Sequence, residues 1–306
     1  MTINKKAISQ VKPHIYYLDS RRVDDFGVSG VYFIIGNGIT LIETGTSLIA
    51  PDILMAVSDI GYKETDIKQV VLTHIHLDHA GGTGWLANRL PHLKVFVHEK
   101  GLKHLLDPAI LIKSAKRVYG DLKEIYEIHG EILPVPQKNL FPIKETDLDI
   151  GAGIILKIFN APGHAPHHLC IFEPESGCLF SGEALGHNYP EIEALLPAVA
   201  PPGFNFEESN TTIDAIELLK PKTICFSQFG QRNDVAFVIK EARDQLRLYY
   251  DLILPELKQS LTVDEIIQKI LKLHNQQGTS MDLISQSMLR SIVAGYQVYF
   301  ARNVII

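Results

Sequence analysis

Residues 73–82 read Thr-His-Ile-His-Leu-Asp-His-Ala-Gly-Gly and follow directly on the apolar run Val70-Val71-Leu72. The run predicts a buried strand. The loop behind it packs His74, His76, Asp78 and His79 into six residues. Imidazole nitrogen and carboxylate oxygen are the donors that zinc, iron and manganese accept, so a fold that delivers this loop from a rigid strand end delivers a metal site. In extended chain, side chains alternate faces with period two, so His74 and His76 point the same way and reach one ion. Asp78 and His79 come after the turn and can serve a second.

The surrounding pattern predicts alternating strands and helices. Val31-Tyr32-Phe33-Ile34-Ile35 and Ile39-Thr40-Leu41-Ile42 flank Gly36-Asn37-Gly38, a hairpin signature. Residues 51–60 read as a helix with Pro51 in its first turn, and 82–90 as a short helix after the loop. Val95-Phe96-Val97, ending at His98, is a further strand. Residues 155–159, 169–172, 179–180 and 223–226 form a second strand group, with 173–177 as a turn. Two strand groups with interspersed helices predict a layered α/β core. Leu105, Leu106, Ile110, Ile112, Val118, Leu122, Ile125 and Tyr126 have helical spacing, which predicts a helical insert over 102–129. In the last quarter Asn233 is expected to cap a helix to Leu254 that Pro255 stops. Thr262 with Glu265 makes a capping box, and Asp282 caps a third helix through Phe300. This amphipathic tail suits packing or a homodimer contact.

With 306 residues, 46% hydrophobic and 21% charged, the chain is long enough for a large buried core. A net charge of -6 offers no basic field, so nucleic acid is disfavoured as a partner and a small-molecule substrate is expected. No apolar run approaches the roughly 18 residues of a membrane span, and the start lacks an apolar signal core, so a cytoplasmic protein without membrane contact is expected. Cys170, Cys178 and Cys225 cannot all pair and show no C-x-x-C spacing, so they are expected to be buried reduced thiols.

More ligand-type residues follow later strands. Pro162-Gly163-His164-Ala165-Pro166-His167-His168 comes after the strand ending at Asn160, and Ser181-Gly182-Glu183 after Leu179-Phe180. Strand-end positions converge at one sheet edge, where open α/β folds place their sites. His98, His187 and Tyr189 also lie near strand ends or the Glu183 loop, and His187 is an alternative ligand. The ordinary reading of all three is as loop residues. His167 reads as incidental, and Lys100 and Lys103 as solvated.

Together, Leu41-Ile42-Glu43-Thr44-Gly45, the loop 73–82, Ala161-Pro162-Gly163-His164, Ser181-Gly182-Glu183 and Ser227-Gln228-Phe229-Gly230 resemble the metallo-β-lactamase fold superfamily. The likeness is to glyoxalase II-like metallo-hydrolases and to a prokaryotic subgroup with a helical C-terminal tail. It implies a four-layer αββα sandwich whose metal site lies at the shared edge of the two sheets. The helical insert, about 101–130, would fall within a catalytic domain 1–230, followed by a helical extension 231–306. It implies a first metal site of His74, His76 and His164, with Glu183 where an aspartate normally bridges two metals. A second site would take Asp78, His79, the same Glu183 and a last histidine. Gln228 stands at that last position. A neutral amide oxygen is a poorer donor than imidazole, so the second site is expected to be weakened or empty. Glu43 replaces an aspartate, and His168 aligns with a supporting histidine; both are expected to orient ligands.

The resemblance further implies a metal-dependent hydrolase of a small ester, thioester or lactone, acting through a metal-bound hydroxide. Zinc is the expected ion, one or two per chain, with iron and manganese as alternatives. Asp78 and His79 are the expected acid–base residues. Three other activities are compatible: a mononuclear iron oxygenase acting on persulfides, a nuclease, and a non-catalytic binding protein with a decayed site.

Overall fold

A computed structural model describes residues 8–19, 30–119, 122–189, 194–276 and 286–303. The chain forms two compact units. The first comprises Met1–Asn160, His167–Gly182 and Pro221–Asn233, and the second Ala161–Pro166, Glu183–Lys220 and Asp234–Ile306.

In the first unit, β1 (Ile8–Lys12), β2 (Ile15–Asp19), β3 (Gly30–Gly36), β4 (Gly38–Ile42), β5 (Ile67–Val71), β6 (Lys94–His98) and β7 (Leu140–Ile143) form a sheet in chain order. Pairing is antiparallel from β1 to β4 and parallel from β4 to β7. Parallel neighbours need crossovers, which here are helical. They are α1 (Ala50–Asp59), then α2 (Leu77–Ala80) with α3 (Thr83–Arg89), then α4 (Leu102–Leu106), α5 (Ala109–Tyr119) and α6 (Leu122–His129). The predicted insert is thus three short helices. A second sheet contains β8 (Thr146–Asp149), β9 (Ile155–Asn160), β10 (Leu169–Glu173) and β11 (Cys178–Gly182), and beyond β11 the strands Thr223–Phe226 and Gln231–Arg232.

Period-two alternation divides the core. Val31, Phe33, Leu41, Val70 and Val95 pack with Ile53 and Val57 of α1 and Leu86 and Ala87 of α3. Their strand neighbours Tyr32, Ile34, Ile42 and Val71 face the other way, against Leu156, Ile158, Leu169, Ile171 and Phe180 of the second sheet. A sheet covered on both faces needs apolar residues at both parities, hence the continuous apolar runs. The buried Tyr32 hydroxyl reaches the carbonyls of Phe226 (2.9 Å) and Gly230 (3.0 Å), and the Gly230 N–H donates to the Tyr17 hydroxyl at 3.1 Å. Burial pushes the Tyr32 phenol pKa well up, so it remains a donor. The three cysteines are buried and free, as expected.

Among the described residues the second unit carries β12 (His187–Tyr189), paired with β13 (Ala194–Leu196), and the helices α7 (Phe206–Leu219), α8 (Val235–Lys258), α9 (Val263–Gln276) and α10 (Gln286–Asn303). With β12 and β13 introduced, the strands Thr223–Phe226 and Gln231–Arg232 of the first unit are β14 and β15. The fold is an α/β sandwich with a helical insert and a helical C-terminal region. Among the described residues no helix is long and apolar enough to cross a membrane.

Two expectations for the tail are corrected. Asn233 does not cap α8: the N-cap is Asp234, and the Asn233 Oδ1 instead accepts from Thr223 Oγ1 at 2.8 Å. Pro255 does not stop α8, which continues to Lys258. So close to a helix end, proline's missing N–H forfeits a single bond. The Thr262–Glu265 box forms in both directions, with Thr262 N donating to Glu265 Oε2 (2.8 Å) and Glu265 N to Thr262 Oγ1 (3.3 Å). Asp282 lies outside the described residues.

Inside this unit the Tyr249 hydroxyl and His274 Nε2 share a hydrogen bond of 3.0 Å, and both residues are buried. Desolvation lowers the His274 pKa and raises that of Tyr249. The unfolded chain therefore takes up a proton at His274 near 6.5 that the folded chain refuses, so stability falls as pH drops below that value. On the alkaline side, stability falls as pH rises past 10, where an unfolded Tyr249 ionises. A thermal melt series is expected to show a plateau between these limits, with a shallower acid limb in His274→Gln. An acid limb that the substitution leaves unchanged would show that other groups set it.

Candidate metal centre

The metal loop leaves β5, and its backbone is fixed before any ligand matters. Glu43 N donates to Val71 O (3.0 Å), Thr44 N to His79 O (2.9 Å), and Leu169 N to Thr73 O (2.7 Å). His76 is the N-cap of α2 with extended backbone, and Asp78 and His79 lie in the single helical turn that follows it. Leu77, between them, is buried with Ile125 and Ile132 and packed by Leu111, Ile112 and Ala115 of α5. The insert thereby clamps the loop. Gly82 closes it where a Cβ would lie 2.9 Å from Thr44 O.

Hydrogen-bond counting assigns the histidine tautomers. The Thr73 hydroxyl has one proton and gives it to Glu43 Oε1 in a close contact. Its oxygen therefore accepts from His74 Nδ1 at 2.9 Å, which leaves a lone pair on His74 Nε2. That nitrogen lies 3.1 Å from His76 Nδ1. His79 Nδ1 donates to Glu43 Oε2 at 3.0 Å, which turns its Nε2 towards Asp78 Oδ2, also 3.0 Å away. Ser227 Oγ donates to Glu43 Oε1 at 2.7 Å, and Gln228 Nε2 to Asp78 Oδ2 at 3.3 Å. Glu43, His74 and His79 bring ligand-type atoms within 4.8 Å of one another. The Glu43 oxygens are already filled by three donors, so this carboxylate supports ligands rather than binding a metal.

The ring of His168 lies 5.1 Å from that of His74, and His167 is 6.3 Å from it. His168 Nε2 sits where a Cβ on Gly182 would come within 2.4 Å, and Gly182 has φ +54°, so only glycine fits there. His98 is occupied otherwise: its Nδ1 accepts from Lys100 N (3.0 Å) and its Nε2 donates to Asn160 Oδ1 (3.1 Å). Its pKa is lowered, chiefly by burial.

In the second unit His164, Glu183 and His187 come together, contributed by the segments that follow β9 and β11. His164 Nδ1 donates to Ala198 O at 2.9 Å, so its Nε2 carries the lone pair, 2.7 Å from Glu183 Oε2. His187 Nε2 is 3.4 Å from the other oxygen, Glu183 Oε1. All three side chains are buried. Tyr189 lies beyond them, its ring 6.3 Å from that of His187.

The same chemistry recurs in both units. An imidazole donates through Nδ1, and its Nε2 lone pair faces a carboxylate oxygen: His79 before Asp78 Oδ2 and His164 before Glu183 Oε2. A lone pair set against a carboxylate oxygen is satisfied by a cation, so the donor set fits a divalent metal. Sequence reading assigned no role to Thr73 or Ser227, which complete the support around Glu43. The signal for Ser227 is its place beside Gln228 in a turn where Phe229 (φ +62°) and Gly230 (φ +83°) are both left-handed.

Residues 24–228 match the family described as the Metallo-beta-lactamase superfamily. A metallo-beta-lactamase fold-containing protein of Sulfurisphaera tokodaii is 27% identical over 214 residues, 66% of this chain and 73% of that protein. A probable metallo-hydrolase of Bacillus subtilis is 26% identical over 192 residues, covering 63% of this chain and 76% of its own length. An atrochrysone carboxyl ACP thioesterase of Pseudocercospora fijiensis is 23% identical, over 62% of this chain and 47% of the thioesterase. The crystal structure of a metallo-beta-lactamase family protein from Thermus thermophilus shares the fold with a TM-score of 0.69 at 21% identity, covering 96% of this chain and 95% of its own. The family match takes in the whole histidine loop and more than half of the residues, and the chain therefore belongs to the metallo-beta-lactamase superfamily.

Proposed function

We propose that this protein is a metal-dependent hydrolase of a small ester, thioester or lactone, with His74, His76, His164 and Glu183 holding a divalent ion, zinc first among candidates. The observation that carries the reading is the His74–His76 pair, two ring nitrogens 3.1 Å apart with the His74 tautomer dictated by Thr73. A divalent ion held there would lower the pKa of a bound water towards about 7 and so supply the nucleophile. The chain's own groups do the rest. Thr73 holds His74 in the tautomer that leaves a lone pair on Nε2, and Glu43 orients His79. Asp78, one-fifth exposed and two residues beyond His76, accepts the proton of the nucleophile. His164 is oriented by the Ala198 carbonyl. The names of the Bacillus relative and of the fungal thioesterase support hydrolysis, and the latter a thioester.

A screen of nitrophenyl esters, acyl thioesters and lactones with zinc-, manganese- and iron-loaded protein tests this. Turnover is expected in at least one of the three classes. No turnover in any of them would remove the hydrolase reading, and oxygen uptake with a persulfide, seen only with iron, would replace it with the oxygenase.

A further inference from the structure

We infer that the C-terminal helix α10 is a positioning element for a metal ligand: Gly295 and Ser291 seat the strap of residues 197–202, whose Ala198 carbonyl sets the ring of His164. This rests on the reading of His164 as a ligand and specifies how the second unit presents it. Two supports act on this residue. Its backbone is fixed by α7 and the cap of that helix. Asn205 N donates to Gly163 O at 2.8 Å, Thr212 Oγ1 donates to Pro162 O at 2.6 Å, and a Cβ on Gly163 would lie 2.5 Å from the Cα of Ser209. The ring is fixed by the strap, through the 2.9 Å bond from His164 Nδ1 to Ala198 O. A carbonyl oxygen only accepts, so this contact keeps a proton on Nδ1 and turns Nε2 outward as the ligating atom.

The strap depends on its neighbours. β13 ends at Leu196, and Pro197, Pro201 and Pro202 have no N–H to give. It is anchored through carbonyls, and α10 donates to two of them: Ser291 Oγ to Val199 O at 3.3 Å and Arg302 Nη1 to Pro202 O at 2.9 Å. Between these contacts the helix lies close against the strap. A Cβ on Gly295 would overlap Val199 Cγ1 and lie 3.4 Å from the Val199 carbonyl carbon. Residues 291, 295 and 302 recur at helical spacing and so share one stripe of α10. The helix itself is held from other sides, by Tyr296 Oη donating to Leu246 O at 2.7 Å and Tyr299 Oη to Glu207 Oε1 at 2.5 Å. Because α10 is held and valine is stiff at χ1, a methyl group at 295 displaces the strap. Val199 follows Ala198 directly, so the displacement reaches the carbonyl that holds His164.

Zinc affinity, measured by competition with a chromophoric chelator and read beside a thermal melt of the same samples, tests the inference. The wild type is expected to bind zinc. Gly295→Ala is expected to weaken binding about 10–100-fold, as loss of a partner that orients a ligating histidine does. Adding Val199→Ala removes Cγ1 and is expected to restore most of that affinity, since the methyl gained at 295 takes the space of one removed. Ser291→Ala removes the donor to Val199 O and is expected to weaken binding in the same direction by a smaller factor. A merely structural role for α10 has a different outcome: alanine is the better helix former, so Gly295→Ala would melt no lower and bind zinc as the wild type does. That result, or a double variant no better than Gly295→Ala, would overturn the inference and leave the hydrolase reading standing. A wild type that binds no zinc, manganese or iron would sink that reading and the inference with it. Should Gly295→Ala fail to fold, unchanged affinity in Ser291→Ala would overturn the inference by itself.

Discussion

His74→Ala is expected to lower kcat/KM for the hydrolysed substrate by on the order of 10³-fold or more and to release the ion at micromolar protein concentration. The size follows from what is lost: without the ion, the nucleophilic water returns from a pKa near about 7 to about 16. His74 is also where the two layers of support meet, because its tautomer depends on Thr73 and through it on Glu43. Its ring contacts those of His76, His79 and His168, at centroid distances of 4.6, 4.1 and 5.1 Å. Alanine leaves room but no donor, so added zinc is not expected to restore activity. Activity within about tenfold of wild type, a loss smaller than that from one oxyanion-hole donor, would place the reaction elsewhere.

Glu43→Ala is the second large effect, and it acts on stability as well as on metal. The carboxylate is 1% exposed and collects three donors: the Thr73 hydroxyl, Ser227 Oγ and His79 Nδ1. Removing it buries all three donors without an acceptor. At roughly 1–3 kcal/mol for each, the cost is a large share of a typical folding free energy of about 5–15 kcal/mol. Chemical denaturation should show the loss directly. Glu43→Gln keeps the shape and one acceptor oxygen, so it is expected to fold while weakening metal affinity by about 10–100-fold, as outer partners of ligating histidines do. Equal metal affinity in Glu43→Gln and wild type would show that the His74 and His79 tautomers are set by other groups.

Much of the sheet framework was legible because its runs are long and doubly buried. Val31 to Ile35 and Val70 to Leu72 could hardly be anything other than core strands. The hairpin at Asn37 was marked by its two glycines, which pair as Gly36 with Gly38. Less legible were the elements that exist only through their neighbours. β7 carries a proline and β15 has two residues. β12 and β13 are three residues each and pair only with each other. None has a period long enough to read. Helix ends were less legible for a related reason. Asn233 is a good cap by type, but Thr223 offers its side chain a tertiary partner, and that contact wins.

In the candidate centre, the ligand-type residues were legible and the wiring was not. Residue identity and spacing single out His74, His76, Asp78, His79, His164 and Glu183, and the family resemblance adds Gln228. That Gln228 donates to Asp78, and that Ser227 and Thr73 both end on Glu43, depends on contacts between residues separated by 150 and 184 positions for the first two cases. No local pattern encodes those. The extra methylene of Glu43 is visible in the sequence, whereas its left-handed backbone (φ +67°), an arrangement costing about 1–2 kcal/mol in an L-residue, is a property of the folded chain.

The central claim is the proposed metal-dependent hydrolysis with His74, His76 and His164 as ligands. Zinc stoichiometry and affinity in wild type, His76→Ala and His164→Ala, read with hydrolysis on the same samples, test it most directly. The wild type is expected to bind zinc tightly, and each variant to lose both the ion and turnover. Retention of zinc at wild-type affinity in His164→Ala, or a wild type that turns over substrate after complete metal removal, would contradict it.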